Sequence, residues 1–113
     1  MLKSASSTTW CVAVEAKGYR HLSGGPPGVH HIDGISDAPP LPIMRMDLVD
    51  EVIAVGDDDA RLAAKRLATD EGIFCGWSTG ANSWAATQLA TRLGAGKTVV
   101  TVACDTGLKY VES

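Results

Sequence analysis

The apolar positions of the chain fall into blocks that predict strands and helices in turn. Residues 10–16 and 51–55 are apolar and short, which is typical of buried strands. Residues 73–77 and 97–103 predict two further strands of the same kind. Because strands that alternate with helices form parallel sheets, the expected fold class is α/β.

Two segments carry the three- and four-residue spacing of a helix with one buried face. The first starts at Asp57, which is expected to cap it, and ends at Gly72. The second follows Gly80 and continues to about Leu93. The acidic run that starts at Asp57 is interpreted as a cap and a solvated face, favoured by the helix dipole, rather than as a metal site.

Residues 17–42 hold all five prolines and are expected to form a long loop. Loops of this length in a compact domain are functional or disordered, and the apolar Ile32 and Ile35 favour a packed, functional one. The glycines around Pro26 and Pro27 predict a turn, since proline lacks the N–H that a phosphate cradle needs. No metal site is predicted at His30 and His31, because neighbours on extended backbone point to opposite faces.

Composition narrows the class of protein further. The chain has 113 residues, 20% of them charged, with a net charge of −3, which argues against a nucleic-acid or anionic-membrane partner. No apolar run is long enough for a membrane span, and residues 1–9 lack the apolar core of a secretory signal. The three cysteines are widely spaced, so buried thiols in a reducing, cytoplasmic setting are expected. We expect a weakly ordered segment 1–9 and a single domain over residues 10–113.

Ligands of parallel α/β sheets bind beyond the carboxyl ends of the strands. Three segments are expected there: the long loop, residues 76–82 and residues 104–107. A hydroxyl at a strand-to-helix turn can contact a ligand while an adjacent glycine lets the backbone approach. Ser78 and Thr79 fit that role, but the spacing alone favours a simple helix N-cap, which stabilises by roughly 1 kcal/mol.

Four segments then resemble a known family when taken in order. They are HLSGGPPGVHHIDGI at residues 21–35, LVDEV at 48–52, EGIFCGWSTGAN at 71–82 and VACDTGLKY at 102–110. Together they resemble the C-terminal third of cysteine synthase, the O-acetylserine sulfhydrylase family, with cystathionine β-synthase as close kin. The resemblance covers about residues 11–113.

The resemblance implies part of a fold type II pyridoxal 5'-phosphate (PLP) enzyme, with a partial three-layer parallel sheet of the tryptophan synthase β type. It places the Ser78 hydroxyl at the pyridine nitrogen of PLP, with Asp105 and Thr106 near the pyridine edge. Residues Gly34, Ile35 and Ser36 correspond to the substrate-pocket loop, within residues 17–46. The implied reaction is β-replacement on O-acetylserine by sulfide, giving L-cysteine, with a small amino acid as substrate.

Departures from the family pattern qualify these implications. Ser36 stands where the family has a glycine, and Cys104 where it has a proline. The family's Schiff-base lysine and phosphate loop belong to earlier parts of its chain, so no catalytic residue is assigned here and the chain alone is expected to be inactive.

The expected partner is the N-terminal part of the enzyme or a second copy in a homodimer. Two alternatives stay open. One is a non-catalytic remnant that binds a protein partner, and the other is a fragment of a related PLP enzyme, such as cystathionine β-synthase or serine/threonine dehydratase.

Overall fold

The computed structural model describes residues 8–26, 28–35 and 44–111. Two strands and two long helices make up its regular structure: β1 (Val12–Ala16), β2 (Glu51–Val55), α1 (Asp57–Glu71) and α2 (Trp77–Leu93). Short 3-10 helices cover His21–Ser23, Met46–Leu48 and Gly107–Tyr110. The expected weakly ordered start lies mostly outside the described residues, as does Ser36.

The two strands form a parallel pair, with Val12 opposite Glu51 and Ala16 opposite Val55. Parallel neighbours need a long crossover, which residues 17–50 provide. The α/β class with parallel strands is therefore confirmed.

Helix α1 follows its prediction closely at its C-terminal end. Gly72 has a φ of +70° and its amide caps the Leu67 carbonyl, as expected for a glycine that ends a helix. The predicted cap at the other end is wrong, because Gly56 is the N-cap and Asp57 lies in the first turn. The Asp57 carboxylate accepts hydrogen bonds from the loop instead, at His31.

Helix α2 begins at Trp77, three residues before the predicted interruption at Gly80. This position inside the helix has to be glycine, because the backbone of α1 lies too close to leave room for a side chain. A Cβ at Gly80 would lie 2.1 Å from the Ala60 carbonyl oxygen and 2.9 Å from the Ala64 amide nitrogen. Gly80, which was expected to precede the helix, is the point where α1 and α2 pack most closely.

Two predicted strands are not formed among the described residues. Cys75 makes only an isolated antiparallel bridge to Thr106, and the chain enters α2 two residues later. Residues 97–103 join no ladder within the described part of the chain. Because a strand is defined by bonds to a neighbour, an apolar β-type sequence without one is not assigned as a strand.

The core lies between the sheet and the two helices. Its buried members are small apart from Ile32 and Val55, which lets the helices approach the sheet closely. Ile32 comes from the long loop and is fully buried, so this part of the loop packs against the domain. The core cluster consists of Ala16, Ile32, Val55, Ala60, Ala81 and Ala85. No helix within the described ranges is long and apolar enough to cross a membrane.

Candidate functional site

The first turn of α2 and the segment after residue 103 lie side by side. The Gly76 amide donates a hydrogen bond to Asp105 Oδ1 at 3.2 Å, and Cys75 forms its bridge with Thr106. The Gly107 amide donates to the Phe74 carbonyl at 3.0 Å. Two segments that are distant in sequence therefore lie together, although neither follows a strand within the described residues.

Thr79 joins the same two segments from inside the helix. Its Oγ1 accepts a hydrogen bond of 2.9 Å from the Cys104 amide, and its side chain is almost fully buried. One turn along α2, Asn82 Nδ2 donates to the Val102 carbonyl at 3.3 Å. Sequence reasoning missed this role for Thr79, although its hydroxyl next to Ser78 was a signal for a second polar function.

Ser78 is the second residue of α2, and its exposed fraction is only 9%. The helix-cap interpretation of Ser78 and Thr79 is wrong, since Gly76 is the N-cap and no side chain caps the helix. Within the described part of the chain, no group hydrogen-bonds the Ser78 hydroxyl. The Ser78 hydroxyl is not one of the fully buried side-chain atoms that lack a partner in the described part of the chain, so it keeps some access and is free to bond a ligand.

The other groups of these two joined segments have distinct hydrogen-bonding roles. Thr106 Oγ1 accepts from the Leu108 amide at 3.3 Å and keeps its own proton for donation. Burial, and then the nearby charge of Asp105, raise the pKa of Cys75 above its usual value, so this thiol stays protonated at neutral pH. The site thus offers neutral hydroxyls and one carboxylate.

The part of the predicted substrate loop that the structure describes packs against the core. Gly34 has a φ of +84°, a conformation that favours glycine. Ile35 packs against the core cluster that contains Ala81 of α2. The loop and the helix that carries Ser78 therefore contact the same core cluster.

Two carboxylates hold the loop in place: Glu15, which sequence reasoning did not single out, and Asp57, which was expected to cap a helix instead. Glu15 is fully buried and accepts from the Leu22 amide at 2.8 Å and from Ser23 Oγ at 2.5 Å. Asp57 accepts from His31 Nδ1 at 2.7 Å and from the His31 amide at 3.1 Å. The sequence did hold one indication of a role for Glu15, since a charged residue at the end of a buried strand needs a polar partner. Within the described ranges, no three His, Cys, Asp or Glu side chains are grouped to hold a metal ion.

Comparison with known proteins gives a consistent result. The family model described as "Pyridoxal-phosphate dependent enzyme" matches residues 1–105. A probable cysteine synthase of Bacillus subtilis is 43% identical over 100 residues, which is 88% of this chain and 32% of that protein. A cysteine synthase of Staphylococcus aureus is 38% identical over 113 residues, which is 100% of this chain and 36% of that protein.

A solved structure leads to the same group of proteins. O-acetylserine sulfhydrylase isoform 3 from Entamoeba histolytica superposes with a TM-score of 0.92 at 33% identity. The match covers 97% of this chain and 33% of that one. The chain therefore spans about a third of the length of the relatives that it matches.

Proposed function

This chain belongs to the fold type II, pyridoxal-phosphate-dependent cysteine synthase family, and on that premise we propose that it is the C-terminal third of a cysteine synthase. The complete enzyme would replace the acetoxy group of O-acetylserine with sulfide, giving L-cysteine and acetate. When bound, PLP supplies the electron sink that weakens bonds at the α- and β-carbons of an amino acid. This chain would supply the pyridine side of the cofactor site.

The Ser78 hydroxyl is the observation that carries this proposal. It is nine-tenths buried, has no hydrogen-bond partner among the described residues, and lies on a helix turn joined to Asp105 through Gly76. A pyridine nitrogen is a single acceptor, and one hydroxyl donor satisfies it. The residues present therefore fit the ring nitrogen of PLP.

A hydroxyl at this position has a chemical consequence. Ser78 is neutral, so it can hydrogen-bond the pyridine nitrogen without forcing that nitrogen to be protonated, as a carboxylate would. The ring then withdraws electrons less strongly, which suits the prompt loss of a β-substituent over long-lived carbanion chemistry. Asp105 and Thr106 would shape the same edge of the ring, and Gly34, Ile35 and Ser36 would line the amino-acid pocket.

The anchoring lysine would come from another part of the enzyme. The lysines in the described ranges, Lys17, Lys65, Lys97 and Lys109, are all solvent-exposed, whereas a lysine that forms an imine with PLP is buried beside it. The partner we propose is the N-terminal part of the enzyme, which carries that lysine and the phosphate-binding loop. We place the complete enzyme in the cytoplasm, in keeping with the unpaired thiols of Cys11, Cys75 and Cys104.

Reconstitution tests the proposal. The chain is co-expressed with the N-terminal two thirds of the Staphylococcus aureus cysteine synthase, and L-cysteine formation from O-acetylserine and sulfide is measured. We expect activity that Ser78→Ala lowers by about fivefold, the worth of one hydrogen bond of roughly 1 kcal/mol, while PLP absorbance is retained. Ser83→Ala, on the same helix outside the site, is the matched control and should leave turnover unchanged. Equal turnover of the Ser78 variant and the native chain would contradict the assignment.

The missing lysine is tested on the chain alone. The chain is incubated with PLP, reduced with borohydride and weighed by mass spectrometry. We expect no stoichiometric adduct, because the exposed lysines bind PLP only weakly and without selection. A single lysine modified to completion would show that this chain carries its own anchor.

A further inference from the structure

Residues 102–107 run antiparallel to residues 74–82, so later residues of one segment meet earlier residues of the other. At one end the Gly107 amide donates a hydrogen bond to the Phe74 carbonyl at 3.0 Å. The contacts that follow are Cys75 with Thr106, Gly76 with Asp105, Thr79 with Cys104 and Asn82 with Val102. The start of α2 is therefore fastened to the second segment at successive points.

Ser78 lies between two contacts of this series. On one side of it along the chain, the Gly76 amide donates to Asp105 Oδ1 at 3.2 Å. On the other side, the Cys104 amide donates to Thr79 Oγ1 at 2.9 Å. The main chain of Ser78 is thus held to residues 104 and 105 from both directions, and a shift of Ser78 relative to Asp105 would lengthen at least one of the two bonds.

The Thr79 contact is well protected and rigidly mounted. Thr79 is only 4% exposed, so water competes little for its hydroxyl, and the 2.9 Å distance is that of a good hydrogen bond. The branched side chain of threonine has few rotamers in a helix, which limits the movement of Oγ1. The next residue, Gly80, lies against the backbone of α1 at Ala60. The turn that carries Thr79 is therefore fixed by α1 as well as by Cys104.

Cys104 takes part in this contact through its main chain. The amide is the donor to Thr79, whereas the side chain is exposed and its Sγ lies 3.3 Å from Asn82 Nδ2. Proline, which stands at this position in the family pattern, has no N–H and cannot form the bond. The hydrogen bond therefore comes from this chain's own pairing of Thr79 with Cys104.

We propose that Thr79 and Cys104 are positioning residues for the cofactor, because their hydrogen bond fixes the Ser78 hydroxyl relative to Asp105. A hydroxyl that is already in place loses less conformational freedom when PLP binds, so the affinity for PLP is higher. Thr79 and Cys104 act through Ser78 and need no contact with PLP of their own. This proposal rests on the proposed function, since it takes PLP to be the ligand of Ser78.

PLP binding by the complex of this chain with the N-terminal two thirds of the Staphylococcus aureus cysteine synthase tests the proposal. Thr79→Val removes the acceptor and should raise the PLP dissociation constant about fivefold, the equivalent of one neutral hydrogen bond. Cys104→Pro removes the donor and should have a similar effect, and the double variant should lose no more than either single variant, since all three lack the same bond. Thr79→Ser keeps the hydroxyl and should restore most of the affinity. Thr91→Val, which removes a hydroxyl bonded only within α2, is the matched control and should leave PLP binding unchanged.

A Ser78→Ala background distinguishes positioning from a general loss of stability. If Thr79 acts through Ser78, Thr79→Val should change the PLP dissociation constant by less than about twofold once the Ser78 hydroxyl is absent. A fivefold loss that persists in this background would overturn the proposal. Hydrogen exchange of the chain alone checks the bond itself, since the Cys104 amide should exchange about tenfold faster in Thr79→Val than in the native chain or Thr79→Ser. Equal exchange in all three would also overturn it.

The outcomes separate this proposal from the proposed function. A complex that forms L-cysteine but binds PLP equally well with and without Thr79→Val overturns the positioning role and leaves the function standing. A complex that shows the expected losses of PLP affinity but forms no L-cysteine supports the positioning role and contradicts the function. A complex that binds no PLP contradicts both.

Discussion

A single carboxylate at the start of α1 fastens the long loop to the helix layer. Asp57 accepts from both the side chain and the amide of His31, which lies 26 positions earlier. Burial alone raises the pKa of Asp57, but the His31 hydrogen bonds outweigh it, and the pKa lies below its usual value. A lowered carboxyl pKa means that the ionised form stabilises the folded state.

The sign of this effect predicts a pH dependence. The contribution of Asp57 is present above the unfolded pKa of about 3.9 and is lost as the pH falls through the folded pKa. Asp57→Asn should therefore cost about 1 kcal/mol of unfolding free energy at pH 7 and less at about pH 3, where the carboxylate is already being protonated in the unfolded chain. Urea denaturation at both pH values measures this. Asp58→Asn, which removes a helix-start charge without a loop contact, should cost less at pH 7. A cost for Asp57→Asn that is the same at both pH values would contradict the prediction.

A second prediction for a single residue concerns the close packing of α1 against Gly80. Its absent Cβ leaves room for the α1 backbone, which would lie only 2.1 Å from that atom at the Ala60 carbonyl. Gly80→Ala should destabilise the fold by about 2 kcal/mol or more, although alanine favours a helix, because the backbone has to move. Thermal unfolding measures the loss. The control is Gly56→Ala, where the nearest atom would be 3.7 Å away, and which should cost less than about 1 kcal/mol. A stabilising Gly80→Ala would show that the helices separate easily.

At the scale of elements, a few buried polar contacts join the loops to the strands and helices. The buried Glu15 at the end of β1 binds Leu22 and Ser23, and Thr79 of α2 binds Cys104. Each contact fixes a loop that the sequence pattern leaves undefined. The loops of the candidate site are therefore positioned by side chains on regular elements.

Glu15 offers a test of this arrangement. Glu15→Ala should release the 3-10 turn at His21–Ser23, so that the Leu22 and Ser23 amides exchange at least tenfold faster with solvent. Glu15→Gln keeps one carbonyl acceptor and should preserve part of the protection. Hydrogen exchange read by NMR distinguishes the two. Unchanged exchange in Glu15→Ala would mean that packing alone holds the turn.

Elements were predictable to different degrees. The helix face of α1 and its end at Gly72 follow from the residue pattern, because helix bonds are local. The start of α2 was missed, since Gly80 lies in the helix for a tertiary reason. Resemblance to a family identified Ser78, but the roles of Thr79 and Glu15 depend on partners 25 and 8 positions away, which no local pattern reveals.

At the scale of the whole molecule, one ion pair joins the far ends of the sheet and the helix layer. Arg92, in the last turn of α2, donates to Glu51 at the start of β2, and Trp10 donates to the same carboxylate. The hydrogen bonds from Arg92 and Trp10 lower the pKa of Glu51 below its usual value. Three distant parts of the chain thus meet at one carboxylate.

Removing this pair should have a modest effect that depends on salt. Arg92→Gln is expected to lower the denaturation midpoint only slightly, because the arginine is half-exposed, and by less than half as much in about 1 M NaCl. Arg61→Gln breaks only a 3.7 Å contact to Asp58 within α1 and should cost almost nothing. Chemical denaturation at two salt concentrations measures both. An equal cost at both salt concentrations would point to lost packing of the arginine stem instead.

The residue pattern by itself determined the α/β class, both helices and the residues that resemble a cysteine synthase. The tertiary structure alone decided which apolar segments became strands, where α2 begins, and that Ser78 lies largely buried in the first turn of α2 rather than capping it. The physical reason is the range of the bonds involved. A helix satisfies its backbone within the segment, so its period is visible in sequence, whereas a strand and a site exist only through neighbours distant along the chain.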